Sequence, residues 1–72
     1  MTDAEIFRKN VLIHKPSKML MIEMETKAGY GKDHLSHMVK RNWNVTIEHV
    51  KCYAKAVGVK PSVLLEGMFD EK

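Results

Sequence analysis

A glycine-centred turn, Ala28-Gly29-Tyr30-Gly31, separates two short helical patterns, and a third pattern follows almost at once. This spacing, from Met24 to Leu65, constrains the chain to short helices packed across one another, with a helix of roughly Lys32 to Lys40 turned outward. No segment alternates polar and apolar residues with period two, so strands are not expected. The expected fold is all-α: a compact bundle of about five short helices in one domain spanning residues 1–72.

Local signals set the expected boundaries. Asp3 caps a first helix that ends near Ile13, where Lys15-Pro16 stops it, with Ile6, Phe7, Asn10, Val11 and His14 near one face. Ser17 caps a second helix, Lys18 to Ala28, with a buried stripe of Leu20, Met21, Met24 and Ala28 and Gly29 as its left-handed terminator. The third helix puts Leu35, Met38 and Val39 inward. Arg41 to Val45 is a loop in which Trp43 covers one edge of the core. Thr46 caps a fourth helix with Ile47, Val50, Ala54 and Val57 on its buried face; Gly58 ends it and Val59 packs back. Pro61 opens a short fifth helix with Val63, Leu64 and Leu65 inside.

Composition narrows the function. A chain of 72 residues has little room for a pocket enclosed on all sides, and no paired catalytic groups are present, so an enzyme is the weakest reading. No apolar run approaches the roughly 18 residues of a membrane span, and Met1 to Glu5 lacks the basic flank and apolar core of a signal peptide. A soluble protein is expected. The single cysteine, Cys52, cannot form an internal disulfide and fits a reducing compartment, the cytoplasm. Between residues 31 and 60, Lys32, Lys40, Arg41, Lys51, Lys55 and Lys60 stand against Asp33 and Glu48, a local excess of +4 where the whole chain carries +3. Such a patch favours a polyanionic partner, although a solvated lysine-rich face has the same composition.

The stretch Met24 to Leu65 resembles the helix-turn-helix of the lambda repressor and Cro superfamily, the XRE family. The matching residues are Gly29, Tyr30, Leu35, Met38 and the closing series Ala54-Lys55-Ala56-Val57-Gly58-Val59-Lys60-Pro61 with Leu64-Leu65. The resemblance implies sequence-specific binding of double-stranded DNA, with the second helix of the motif in the major groove. Carried over by position, it makes Lys32, Asp33, His34, Ser36 and His37 the base readers, and Lys40, Arg41 and Asn42 the phosphate contacts. It also implies a repressor of phage, prophage or plasmid type that occupies a palindromic operator as a homodimer, without a small-molecule ligand. Two positions depart from the family. Glu25 stands where a small residue, often alanine, lets the two helices cross closely, so the glutamate is expected to bend outward or to widen the crossing. Met21 replaces a phosphate-binding glutamine, and Ser17 and Lys18 are expected to supply that contact one turn earlier.

Other features admit a second reading. His34-x-x-His37 and His49-x-x-Cys52 have zinc-like spacing, but the two pairs are not expected to converge, and no metal or cofactor is implied. The histidines could instead tune binding with pH, a phosphate field raising their ordinary value of about 6.5. Met19, Met21, Met24 and Met38 read as flexible core filler. At the chain end, Leu65, Met68 and Phe69 exceed what a short terminal helix buries alone and are the expected dimerisation surface, a tail folded over its own core being the alternative. Glu25, Asp33 and Met21 also suit a protein-interaction module, antirepressor or antitoxin-like, that keeps the fold without reading DNA.

Overall fold

The computed structural model describes residues 2–68, and within them the chain forms five helices and no strand. These are α1 (Asp3–His14), α2 (Met21–Lys27), α3 (His34–Lys40), α4 (Ile47–Val57) and α5 (Pro61–Leu64). Helix α4 is the hub, packing on α1, α2 and α5, while α3 rests on α1. Between them lies a core of Phe7, Val11, Met24, Leu35, Met38, Val50, Tyr53 and Leu64, closed by Ala4, Ala28, Ala54 and Val57.

Local chemistry explains most boundaries and corrects several. Thr2, not Asp3, caps α1: its hydroxyl accepts from the Glu5 amide while the Glu5 carboxylate accepts from the Thr2 amide, a reciprocal capping box. The helix runs to His14, which is exposed, and half-buried Asn10 spends its side-chain amide on the carbonyls of Leu64 (3.0 Å) and Glu66 (2.6 Å), tying α1 to the end of α5. Helix α2 starts three residues later than expected, and Ser17 does not cap it. Pro16 to Met19 instead closes a turn, and the Lys15 ammonium donates to the Met19 carbonyl at 2.6 Å, so Leu20 is extended and exposed, outside the buried stripe. Thr46 caps α4 as expected, with His49 completing the box. Ile47 is exposed, because the buried stripe of α4 is Val50, Tyr53, Ala54 and Val57, the spacing of a helix face that begins one turn after the cap. Gly58 ends α4 at φ +82°, and the amides of Gly58 and Val59 both reach the Ala54 carbonyl.

The join between α2 and α3 carries the largest correction. Glu25 does not bend outward; it is only 2 % exposed. One carboxylate oxygen accepts from the Asp33 amide at 3.1 Å and the other from the Leu35 amide at 3.0 Å. A helix leaves its first amides without intrahelical acceptors, and its N-terminus attracts negative charge. Glu25 therefore caps α3 from the neighbouring helix, a role that Asp33 cannot fill because it holds a left-handed φ of +64° and its side chain makes no capping bond. The Glu25 carbonyl also accepts from the Tyr30 amide, so a single residue closes the turn and starts the next helix.

At the other end of the chain, Met68 is 5 % exposed and belongs to the core, while Leu65 is half-buried against it. Of the expected dimerisation residues that are described, Met68 is thus taken up by the chain's own packing and Leu65 is partly so. Phe69 lies outside the described residues.

Two substitutions test these joints. Glu25→Ala leaves two amides without acceptors, one of them buried, and is expected to destabilise the fold by about 2–4 kcal/mol, with Glu25→Gln falling between it and the unmodified chain. Urea unfolding checks this; an alanine variant as stable as the parent would remove Glu25 from its capping role. Gly58→Ala is expected to cost about 1–2 kcal/mol, since a Cβ is disfavoured in the left-handed conformation that ends α4. An unchanged thermal midpoint would contradict it.

Candidate nucleic-acid interface

Three inward residues fix which side of α3 faces solvent. Leu35 and Met38 are fully buried and Val39 is half-buried, so the opposite arc carries Asp33, Ser36, His37 and Lys40, all exposed. Their spacing of three and four residues places them on one helical stripe. Lys32 precedes the stripe and Arg41 and Asn42 follow it, also exposed. Asn42 terminates the helix at φ +52°, a conformation that asparagine tolerates better than most side chains. Ser17 and Lys18 are exposed in the turn before α2. Nine of the ten expected DNA contacts are therefore free of the core, the exception being His34.

Among the described residues the one ion pair is Lys27 with Glu23, at 3.9 Å and on the surface. The charges of Lys32, Lys40 and Arg41 thus have no carboxylate partner there. A stripe that mixes a carboxylate, a hydroxyl, an imidazole and an ammonium offers both donors and acceptors, which is what reading base edges requires, and the flanking cations suit phosphate.

His34 is set apart from the exposed stripe by its contacts within the fold. It is half-buried, with its ring stacked on Tyr30 at 3.9 Å between centroids and 3° between planes, and its Nδ1 is 2.8 Å from the Tyr53 hydroxyl. Tyr53 in turn meets Phe7 edge to face at 5.6 Å, which joins the cluster to the core. His49 closes it from α4, 5.4 Å from His34 and 5.5 Å from Tyr30. Trp43, 39 % exposed, stands over His34 at 5.9 Å, so the indole covers the aromatic cluster and not the aliphatic core. The imidazole at the first position of α3 is a wedge that seats the helix.

Burial governs the titration of this cluster. It lowers His34 below its ordinary 6.5, with the neighbouring His49 adding to the effect and Glu25 opposing it. Burial likewise lowers His49, against an opposing Glu48. Within the chain itself the shift of both is thus downward. Tyr30 is pushed up to about 12 by burial and then by Cys52 beside it, and burial raises Tyr53 as well.

The His34/His37 and His49/Cys52 pairs do not converge as a set, although one member of each, His34 and His49, comes within 5.4 Å of the other. His37 is on the outer stripe, and among the described residues no three His, Cys, Asp or Glu side chains stand together as a metal-binding group. Nor is any described helix long and apolar enough to cross a membrane.

Sequence reasoning overlooked Tyr53 and the role of Tyr30. The signal for Tyr53 was present: Val50, Tyr53, Ala54 and Val57 follow the i, i+3, i+4, i+7 pattern more closely than a stripe that begins at Ile47. Comparison with protein-family models, with curated proteins and with solved structures finds no match to this chain.

Proposed function

We propose that the chain is a sequence-specific DNA-binding transcriptional regulator of the lambda repressor and Cro helix-turn-helix type, a repressor that acts by occupying its operator. The observation that carries this reading is the exposed stripe of Asp33, Ser36, His37 and Lys40 on a short helix whose start is held from behind by the Glu25 carboxylate. Base readout needs side chains held in register, and a helix fixed at its first turn provides that. Lys40 and Arg41, unpaired among the described residues, supply charge for phosphate beside Asn42, with Ser17 and Lys18 adding to it on the approach to α2 and Lys32 left with the base readers.

The Glu25 cap also shapes the mode of binding. Because the Asp33 and Leu35 amides are already occupied, α3 does not offer those donors to a phosphate, so anchoring falls to the side chains. Asp33 repels phosphate and can accept from cytosine N4, which favours a specific site over indiscriminate binding. A palindromic site requires two copies of α3, and the proposal includes a homodimer on DNA. With Met68 inside the core, the pairing surface on the described chain end is reduced to the exposed part of Leu65.

A protein-interaction module is the second reading, favoured by a specific observation: Leu20 and Ile22 at the start of α2 are 67 % and 47 % exposed, where a DNA reader of this type would present polar groups to the backbone. Salt separates the two. Three neutralised phosphates per protomer predict that log K falls with log salt at a slope of about −2.7, and Lys40→Ala with Arg41→Ala is expected to flatten it by about 2. Selection from a random DNA pool is expected to return a palindromic consensus, and Ser36→Ala and His37→Ala each to relax one position by about 1–3 kcal/mol. No sequence preference, or a slope near zero, would overturn the DNA-reading assignment; light scattering of the complex tests the dimer.

A further inference from the structure

Of two hydrogen bonds in the aromatic cluster, one exists only while its imidazole is neutral, and the other must reverse its direction when its imidazole is protonated. The Thr46 amide is an obligatory donor, and its acceptor is His49 Nδ1 at 3.1 Å. That nitrogen must be bare, so the His49 proton sits on Nε2. The Tyr53 hydroxyl meets His34 Nδ1 at 2.8 Å and makes no other hydrogen bond among the described residues. Its hydrogen is satisfied only when Nδ1 is bare, which gives His34 the same tautomer.

A proton added to either ring converts an acceptor into a donor. The Thr46 amide then faces an N–H, and half of the capping box of α4 is lost. The Tyr53 hydroxyl, on a side chain that is fully buried, loses the acceptor of its hydrogen. Two protonated rings 5.4 Å apart also repel each other in a half-buried setting, where screening by water is incomplete.

We propose that His34 and His49 form a proton-operated latch: when neutral they seat the α2–α3 turn and the first turns of α3 and α4 against Tyr30 and Tyr53, and when protonated they release them. The charged and titratable groups around the latch act in both directions. Glu25 on α2 and Glu48 on α4 favour the protons, and His37 on α3 opposes the one on His34. Tyr30, Tyr53 and Cys52 complete the surround. Desolvation outweighs the carboxylates and holds both rings below 6.5. The folded chain thus binds these protons less tightly than the unfolded chain, so the stabilisation is complete above about pH 6.5 and is lost as pH falls through the lowered values. The latch concerns the seating of α3 and α4 and stands whether or not α3 reads DNA.

Nuclear magnetic resonance of the full chain tests it, with Trp43 fluorescence as a second readout, since that indole lies 5.9 Å from His34. At pH 7.5 the ring nitrogens of His34 and His49 are expected to show the Nε2–H tautomer. On acidification both rings titrate below 6.5, and in the same step the Thr46 amide loses exchange protection and Trp43 fluorescence changes. His49→Asn, whose side-chain oxygen accepts in place of Nδ1 without titrating, is expected to retain Thr46 protection in acid. The double variant His34→Asn/His49→Asn is expected to lose most of the Trp43 step. Rings that titrate at or above 6.5, an Nδ1–H tautomer, or a double variant with the parent's acid response would overturn the latch. Should the double variant fail to fold, the tautomers and midpoints of the unmodified chain decide alone.

Discussion

The carboxylate of Glu25 holds the α2–α3 unit together. Helices α2 and α3 each lean on a different partner, α4 for the first and α1 for the second. What joins them directly is the Glu25 carboxylate on the amides of Asp33 and Leu35, together with the Glu25 carbonyl on the Tyr30 amide. A buried carboxylate is tolerated when its lone pairs are met by donors, and here a helix N-terminus supplies them. The same two bonds set the start of α3, and thereby which of its residues turn outward.

A second constraint is aromatic. Tyr30 from the turn, His34 from α3 and Tyr53 from α4 stack in parallel, with His49 and Trp43 at the margins and Phe7 linking the stack to the core. Together, Glu25 holds the backbone of α3 and the stack holds its first side chain. The outer stripe of Asp33, Ser36, His37 and Lys40 is left without structural duties, which is why it can be spent on a partner. Capping from inside the protein also occupies the Asp33 and Leu35 amides, so the start of α3 does not hold those donors free for an anion.

Features governed by a few consecutive residues were legible in the sequence. Gly29 and Gly58 at positive φ, the Thr46 cap, Pro61 at the first turn of α5 and the burial of Leu35, Met38, Val50 and Leu64 all follow from local backbone preference or helical period. Errors arose where a polar side chain had a choice of partners. Ser17 was available as a cap, but the turn closed by Pro16 and the Lys15 ammonium displaced it. Met68 looked like surplus apolar surface because nothing local shows that the chain end returns to the core.

By itself the sequence determined an all-helical chain, the approximate limits of its helices and a basic middle segment, because these depend on period, caps and composition within a few residues. Only the tertiary structure decided that Glu25 points inward and that His34 packs as a wedge against Tyr30 and Tyr53. Their partners lie 8 and 10 residues away for Glu25 and 19 for His34, on other elements of the chain. Whether a polar group is buried depends on finding such partners, and that is settled only when the helices meet.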